Sequence, residues 1–410
     1  MHKPSLAKKR YLILGAGPAG LSIANSLKAK GTEDFLVLEK ESEAGGLCRS
    51  VSVDGFPFDI GGGHFLDVRR PNVNSFLFSF MPENEWDLYH RKTSIQIKGM
   101  TIGQPFESYI WQMGLEDQIE YLKSIAVAGC NIGKPMPQKF VDWIYWKLGS
   151  RIADDYMLPY NKKMFGQDLD VLGTYWLEKL PNVSFEDTLR SCLTRKAYGK
   201  APGHTSFYYP KKYGYVELWL RMASNLGNQI KYKSIVESID FNSKKVTACD
   251  GSQYSADIII TTIPWMEIKE LIGMPDDLRK QIKQLKYTSI QTEYHSERLD
   301  TDSHWVYYPD DMIPYHRILV RHNFCPNSPG YWTETNIDRV APKTNDSSFS
   351  FLNKYAYPLN TLDKPRIMSD LLSWCKAHGV YGLGRWGEHQ HYNSDVTVEQ
   401  ALKLSEEITE

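Results

Sequence analysis

Residues 11–20 read Tyr-Leu-Ile-Leu-Gly-Ala-Gly-Pro-Ala-Gly, a short apolar run followed by a glycine-rich turn. The apolar run predicts a buried parallel strand, and residues 21–30 predict the helix that the turn opens. A second strand is predicted over residues 35–38 and ends at Glu39. Strand, turn, helix and strand make a βαβ unit, so the fold class is α/β with a Rossmann-like dinucleotide-binding domain.

The glycine spacing indicates how this turn would bind a dinucleotide. Gly15 permits the tight turn, Gly17 lets the backbone approach the pyrophosphate, and Gly20 lets helix and strand pack closely. The free N–H groups at the helix N-terminus point at the phosphates. Glu39 lies 19 residues beyond Gly20, where a carboxylate accepts hydrogen bonds from ribose hydroxyls. The cofactor contacts predicted in this unit are Gly15, Gly17, Ala19, Gly20, Glu39 and Lys40.

Two further glycine clusters favour FAD over a nicotinamide cofactor. Residues 45–49 read Gly-Gly-Leu-Cys-Arg, which resembles the second fingerprint of amine-oxidase-like flavoproteins, with Arg49 supplying charge to the pyrophosphate. Residues 61–64 read Gly-Gly-Gly-His, a backbone without side chains against which a flat ring can lie. A plain flexible loop would also explain these glycines, but nicotinamide enzymes need no such second cluster. The contacts predicted here are Gly46, Leu47, Arg49, Gly61, Gly62 and Gly63.

The C-terminal region predicts a further flavin contact. Residues 382–387 follow a short apolar run, and Asp395 is a good capping residue for a helix beginning near Thr397. A helix N-terminus directed at the flavin would stabilise negative charge on its reduced form. Capping alone explains these residues equally well. The predicted contacts are Gly384, Asn393, Asp395 and Val396, together with Val236 from the central strands.

The pattern along the chain predicts interleaved domains. A discontinuous FAD-binding domain is predicted from segments 1–90, 208–265 and 350–410. Apolar residues at helical spacing through 118–128 predict an inserted helical substrate domain over 100–180. Alternation through 304–320 predicts a mixed or antiparallel sheet substrate domain over 266–349, with 90–99.

Composition narrows the range of partners. With 48 basic and 49 acidic residues the formal net charge is −1, which argues against nucleic acid. The six cysteines form no C-x-x-C pair, so we expect free thiols and no metal site. The basic N-terminus leads into an apolar run too short for a signal peptide, and no stretch is long enough to span a bilayer. We therefore expect a cytoplasmic protein with no membrane span, and the oligomeric state stays open.

A series of segments, taken in order, resembles the UDP-galactopyranose mutase family over nearly the whole chain. They are GGGH at 61–64, KGMTIGQPF at 98–106, PYNKKMF at 159–165, YPKKYG at 209–214, HWVYYP at 304–309, PYHR at 314–317, YAYP at 355–358 and GRWG at 384–387. The resemblance implies that N5 of reduced FAD attacks the anomeric carbon of a nucleotide-linked sugar and expels the nucleoside diphosphate. It implies an isomerase that interconverts pyranose and furanose forms with no net redox change.

The resemblance also implies roles for individual residues. Arg317 would take up the charge of the leaving diphosphate, and His64 and Arg385 would lie beside the flavin and sugar. Asn161 and Phe165 would hold the base of the nucleotide. The implied catalytic residues are Arg317, His64, Arg385 and Tyr357. The implied substrate contacts are Asn161, Phe165, Tyr315, Tyr355, Tyr357 and Gln104.

Several positions depart from that family's pattern. Its second phosphate arginine, four residues after a tryptophan, is absent after Trp176, where Lys179 is the nearest cation and cannot copy a bidentate fork. Gln104, Glu107 and Phe165 replace a tyrosine, a glutamine and a tryptophan. A mutase for a different nucleotide or sugar fits this pattern. An FAD-dependent oxidoreductase of the amine-oxidase type and a binding protein with structural flavin stay open beside it.

Overall fold

The computed structural model describes residues 8–131, 133–166, 168–177, 183–199, 205–340 and 349–409. The chain forms two compact units. Unit 1 comprises Met1–Asp87, Tyr208–Lys286 and Asp363–Glu410, and unit 2 comprises Leu88–Phe207 and Tyr287–Leu362. Segment 100–180 and most of segment 266–349, assigned above to separate substrate domains, thus lie in the same unit. Lys179 lies outside the described residues.

The strands and helices are as follows. The strands are β1 (Lys9–Leu14), β2 (Phe35–Leu38), β3 (Ser50–Val53), β4 (Phe56–Asp59), β5 (Leu66–Asp67), β6 (Trp86–His90), β7 (Thr93–Ile97), β8 (Met100–Gly103), β9 (Ser206–Pro210), β10 (Ile230–Lys231), β11 (Val236–Asp240), β12 (Lys245–Ala248), β13 (Gln253–Thr261), β14 (Glu270–Ile272), β15 (Tyr287–His295), β16 (Trp305–Tyr307), β17 (Arg317–Leu319), β18 (Tyr331–Asn336), β19 (Ser350–Pro358) and β20 (Val380–Gly382). The helices are α1 (Pro18–Ala29), α2 (Pro71–Phe78), α3 (Phe106–Tyr109), α4 (Leu115–Gly129), α5 (Phe140–Ile152), α6 (Leu158–Phe165), α7 (Phe185–Thr194), α8 (Val216–Leu226), α9 (Asp276–Ile282), α10 (Lys364–Ala377), α11 (Gly384–Gly387) and α12 (Ser394–Glu407).

Unit 1 is built on a sheet with the strand order β10-β2-β1-β13-β12-β11-β14, in which β20 also pairs with β13. Strand β1 pairs in parallel with β2 and with β13, as the predicted βαβ unit requires. Its residues Tyr11, Leu12, Ile13 and Leu14 are fully buried, which explains the continuous apolar run. Helix α1 packs against α8 and α12. The predicted α/β class with a Rossmann-like domain is confirmed.

Two helices of unit 1 begin earlier than the sequence patterns predicted. Helix α1 begins at Pro18, directly after the glycine turn, because proline lacks the N–H that the first helical turn would leave unbonded. Helix α12 begins at Ser394, with Asn393 as its N-cap residue, and not near Thr397. In both places, polar and glycine residues that look like loop already belong to the first turn.

Unit 2 contains a sheet ordered β19-β15-β18-β17-β16-β7-β8. Its strands pair antiparallel except β16 and β7, which are parallel. The alternating stretch over residues 304–320 belongs to this sheet, as predicted. It divides into β16 and β17, which pair antiparallel across an intervening loop. Helices α4 and α5 pack against each other in the same unit, where helical spacing had predicted an insertion.

Among the described residues, no helix combines the length and the apolar character needed to cross a membrane. All six cysteines are free thiols, as predicted.

Candidate functional site

The turn after β1 is fixed by the acid that ends β2. Gly15 has a φ of +103°, and its N–H donates to the carbonyl oxygen of Leu38 at 2.8 Å. The Glu39 carboxylate is buried and accepts from the N–H of Ala16 at 2.6 Å and from the N–H of Glu41 at 2.9 Å. The predicted ribose acid is therefore held rigidly against the glycine turn.

Four distant segments approach one another so closely that side chains are excluded. A Cβ atom added at Gly20 would lie 1.9 Å from the carbonyl oxygen of Gly15, and one at Gly61 would lie 1.9 Å from that of Leu47. A Cβ at Gly46 would lie 3.2 Å from Cα of Gly17. The turn at Gly384 joins them, because a Cβ there would lie 2.7 Å from Cβ of Ala19. The structure thus brings together most of the predicted glycine contacts.

Two helix N-termini of unit 1 have chemistry that suits a bound dinucleotide. Their N-cap residues, Gly17 for α1 and Asn393 for α12, make no side-chain capping hydrogen bond. Asp395, in the first turn of α12, is 1% exposed, and its Oδ2 accepts from Nε of Arg70 at 2.7 Å. Its Oδ1 is buried with no hydrogen-bond partner among the described residues. N–H groups without side-chain caps and an orphaned carboxylate oxygen fit a ligand carrying phosphates and polar ring edges.

The predicted charged residues of unit 1 are anchored to backbone or to acids. Nε and Nη2 of Arg385 both donate to the carbonyl oxygen of Tyr392, at 2.9 and 2.7 Å. Nε of Arg49 donates to the carbonyl oxygen of Gly46 at 3.1 Å. Nδ1 of His64 lies 3.0 Å from the carbonyl oxygen of Gly62. Lys40 instead forms a solvent-exposed ion pair, with Nζ 3.5 Å from a carboxylate oxygen of Glu267. Val396 lies in the first turn of α12, directly after Asp395, and Gly63 directly precedes His64.

Unit 2 carries a line of polar side chains that crosses its sheet, which we call the polar row. Glu334 in β18, Arg317 in β17 and Tyr307 in β16 are direct neighbours in consecutive antiparallel strands, so their side chains share one face. Further hydrogen bonds add Tyr357 beside Arg317 and Arg91 beside Tyr307. The polar row comprises Tyr357, Glu334, Arg317, Tyr307, Arg91 and Gln104.

Arg317 and Glu334 form the centre of the polar row. Arg317 donates from Nε to Oε2 of Glu334 at 2.8 Å and from Nη2 to Oε1 at 3.0 Å, and Nη2 also donates to the Tyr357 hydroxyl at 3.0 Å. Burial alone would raise the pKa of Glu334, but Arg317 and the neighbouring His316 hold that pKa at about 2. Burial lowers the pKa of His316 below its usual value. Glu334 was not among the predicted site residues, and its carboxylate neutralises the charge that Arg317 was expected to offer a diphosphate.

The other end of the polar row holds a second arginine, Arg91, which was not among the predicted site residues. Nη2 of Arg91 donates to the Tyr307 hydroxyl at 3.0 Å and to Oε1 of Gln104 at 3.4 Å. Oγ1 of Thr93 donates to the same amide oxygen at 2.9 Å. The guanidinium of Arg91 lies 5.0 Å from the ring centroid of Trp305. The sequence offers no local signal for Arg91, which stands in a polar stretch before β7.

The remaining predicted substrate residues lie in different surroundings. Tyr315 packs edge-on against Tyr308 with Val306 and Ile318, residues that alternate with the polar row and therefore point to the opposite face of the sheet. Tyr355 contacts the ring of Tyr287, with centroids 4.5 Å apart. The structure does not bring Tyr315 together with Arg317.

Helix α6 presents the residues expected to hold a base. Nδ2 of Asn161 donates to the carbonyl oxygen of Met157 at 2.7 Å, within the helical segment. The Phe165 ring packs edge-on against Trp176, with centroids 5.9 Å apart. Tyr160 is nearer to the polar row, because its ring packs edge-on against Tyr307 at 5.3 Å. No group of metal-ligating side chains occurs among the described residues.

Two family descriptions match parts of the chain. Residues 13–80 match the family described as NAD(P)-binding Rossmann-like domain, and residues 149–292 match flavin containing amine oxidoreductase. These two matches support the amine-oxidase-like FAD-binding superfamily, with FAD as the cofactor.

Solved structures share this fold. A reduced UDP-galactopyranose mutase aligns with a TM-score of 0.88 and 20% identity, over 98% of this chain and 94% of that one. Cyclohexylamine oxidase from Brevibacterium oxydans aligns with a TM-score of 0.69 and 15% identity, over 98% and 100%. At these identities the likeness shows the fold alone.

Curated relatives match only short segments. An uncharacterized protein of Methanothermococcus thermolithotrophicus is 46% identical over 52 residues, which are 13% of this chain and 49% of that protein. An inactive all-trans-retinol 13,14-reductase of Danio rerio is 41% identical over 66 residues, 16% of this chain and 10% of that one. The chain therefore aligns with about half or less of these relatives' length.

Proposed function

We propose that this enzyme is an FAD-dependent nucleotide-sugar mutase that interconverts the pyranose and furanose forms of its sugar. The polar row is the observation that carries the proposal. It places two guanidiniums and two phenol groups, from Arg91, Arg317, Tyr307 and Tyr357, on one face of a sheet. Guanidinium and phenol donors are suited to the oxygens of a diphosphate leaving group.

Under this proposal, unit 1 binds the cofactor and unit 2 binds the substrate. When bound, reduced FAD supplies a nucleophile for the anomeric carbon without consuming electrons overall. Unit 1 holds the cofactor through its glycine turns, and the N-terminus of α12 stabilises negative charge on the reduced ring. Unit 2 binds the nucleotide sugar. Within it, Glu334 orients Arg317, and the phenol of Tyr357 donates to the departing diphosphate.

A second candidate is an oxidase of the amine-oxidase type. It is favoured by the match of residues 149–292 to flavin containing amine oxidoreductase and by the altered nucleotide positions Gln104, Glu107 and Phe165. The charge of the polar row speaks against a cationic amine, because two guanidiniums stand against one carboxylate there.

The decisive experiment compares the two redox states. The FAD-loaded enzyme is reduced with dithionite under argon and incubated with the pyranose and furanose forms of UDP-galactose, and with GDP-, CDP- and dTDP-hexoses. We expect ring-size interconversion, followed by chromatography, over many turnovers without further reductant, and none with oxidised enzyme. No interconversion with any sugar would overturn the proposal. Oxygen consumption with a panel of amines would then support the oxidase.

A further inference from the structure

Arg91 is the cation of the polar row whose charge is not neutralised. Arg91 is partly buried and forms no ion pair with any described residue, whereas Arg317 is neutralised by Glu334. Its hydrogen-bond acceptors are the neutral oxygens of Tyr307 and Gln104. Its Nε is fully buried and has no hydrogen-bond partner among the described residues. A partly buried guanidinium with spare donors is unfavourable unless an anion completes its surroundings.

The neighbouring phenol is oriented to serve the same anion. The Tyr307 oxygen accepts from Arg91, so its own proton remains available for donation, and it meets no acceptor among the described residues. The Tyr160 ring packs edge-on against Tyr307, and its hydroxyl likewise makes no hydrogen bond within the described part of the chain. Arg91, Tyr307 and Tyr160 therefore each have a donor available for a ligand.

The position of this group within the sheet suggests what it binds. Tyr307 stands between two guanidiniums, since Arg91 donates to its hydroxyl and Arg317 lies directly opposite it in β17. A ligand with two linked anionic groups can contact both ends of this arrangement. The bidentate geometry of guanidinium suits phosphate better than a monovalent halide or a neutral sugar hydroxyl.

We propose that Arg91, with the phenols of Tyr307 and Tyr160, is a phosphate-binding subsite and supplies the unneutralised cation for the diphosphate of the substrate. The identification of the anion as a nucleoside diphosphate rests on the proposed function. The subsite gives the chain a second phosphate arginine even though none follows Trp176. The positive charge of the subsite is that of Arg91, which precedes β7 and belongs to no sequence motif.

The test measures binding of UDP and of inorganic pyrophosphate to FAD-loaded protein by titration calorimetry. For Arg91→Gln we expect dissociation constants for both ligands at least about tenfold weaker, because a charge-assisted pair of hydrogen bonds is lost. The dissociation constants of Arg91→Lys should lie between those of the wild type and of Arg91→Gln, because lysine keeps the charge but not the bidentate geometry of the guanidinium. Tyr307→Phe, which removes the donor and leaves the arginine, should weaken binding several-fold.

Arg221→Gln serves as the matched control, because Arg221 is an arginine of unit 1 already paired with Glu85 and Glu217. The Arg221→Gln protein should bind UDP and pyrophosphate with wild-type affinity. The ratio of flavin to protein absorbance and the melting temperature are recorded for each variant. Should Arg91→Gln fail to fold, the Arg91→Lys and Tyr307→Phe variants carry the same comparison.

Two outcomes overturn the inference. One is wild-type affinity in the Arg91 and Tyr307 variants, and the other is a wild-type protein that binds neither UDP nor pyrophosphate. The proposed function fails separately. If the wild type binds UDP in an Arg91-dependent manner yet interconverts no sugar, the subsite stands and the mutase reaction does not.

Discussion

Arg317 and Glu334 are direct neighbours in β17 and β18, and two parallel hydrogen bonds of 2.8 and 3.0 Å join the guanidinium to a carboxylate that is 1% exposed. A pair of this kind costs desolvation on both sides, and the mutual attraction offsets that cost only while both partners are present. The pair also fixes the orientation of the guanidinium toward the Tyr357 hydroxyl. The arrangement of the rest of the polar row therefore depends on this ion pair.

Glu334→Gln should destabilise the protein by about 3–5 kcal/mol, because it leaves the partly buried Arg317 guanidinium without its counter-charge. The double variant Glu334→Gln/Arg317→Met should recover part of this loss, since no unpaired charge then remains. Urea unfolding of both variants measures the two free energies. Glu186→Gln is the control, because Glu186 forms an exposed ion pair with Arg190 and should cost less than about 1 kcal/mol. Equal losses for Glu334→Gln and the control would contradict the prediction.

Gly20→Ala should yield protein with little or no bound FAD. The added methyl group would lie 1.9 Å from the carbonyl oxygen of Gly15, so the turn and α1 must separate. The ratio of absorbance at the flavin band to that at the protein band measures the loss. Gly129→Ala is the matched control, because a Cβ there meets nothing within 4 Å. A yellow, fully loaded Gly20→Ala protein would show that the turn tolerates this displacement.

Tyr357→Phe and Tyr315→Phe test which tyrosines belong to the substrate site. The Tyr357 hydroxyl accepts from Nη2 of Arg317 at 3.0 Å. Loss of a hydrogen bond to a charged group costs about 1.5–3 kcal/mol, so turnover of Tyr357→Phe should fall by roughly 10- to 100-fold. Tyr315 lies on the opposite face of the sheet, and its variant should turn over like wild type. Both should retain FAD. The measurement is the steady-state rate of each variant and of the wild type on the substrate identified by the reduced-enzyme assay. An impaired Tyr315→Phe enzyme would favour the assignment made from sequence.

The close approach of the glycine segments in unit 1 could be predicted from sequence because its determinants are local. A glycine is needed wherever two backbones approach within a side chain's width, and such glycines, Gly17 and Gly46 among them, occur in short motifs next to predictable strands and helices. The acid at Glu39 follows from the length of the βαβ unit. The helix starts were misplaced, since Pro18 and Ser394 look like loop residues.

The polar row could not be predicted in the same way because strand order creates it. Glu334 and Arg91 belong to distant parts of the chain. They meet because β18, β17 and β16 are adjacent in the sheet and because Arg91, just before β7, donates to the Tyr307 hydroxyl of β16. The family resemblance implied that Tyr315 lies beside Arg317. Tyr315 belongs to the loop between β16 and β17, so its two-residue spacing from Arg317 does not fix the side of the sheet on which it lies.

Glu388 should make the stability of the protein depend on pH. Its Oε2 accepts from the N–H of Gly384 at 2.7 Å, within the turn that joins the cofactor cradle. Burial raises the pKa of Glu388 from 4.5 to about 7, and the Gly384 N–H opposes this only in part. The nearby groups do not titrate in this window, since the pKa of His389 is lowered to about 4 and that of Tyr392 raised to about 12.

The sign of the effect follows from the folded state holding the proton more tightly than the unfolded state. Below pH 4.5 both states are protonated and Glu388 contributes nothing, and between pH 4.5 and 7 the stability falls as the unfolded carboxyl ionises first. The full penalty, up to about 3 kcal/mol, applies above pH 7.

Glu388→Gln keeps an acceptor for the Gly384 N–H and removes the charge. The variant should therefore melt close to wild type at pH 5 and several degrees higher at pH 8, with Glu186→Gln as the exposed control. A wild-type and a Glu388→Gln protein that differ equally at both pH values would show that the carboxyl does not titrate in this range.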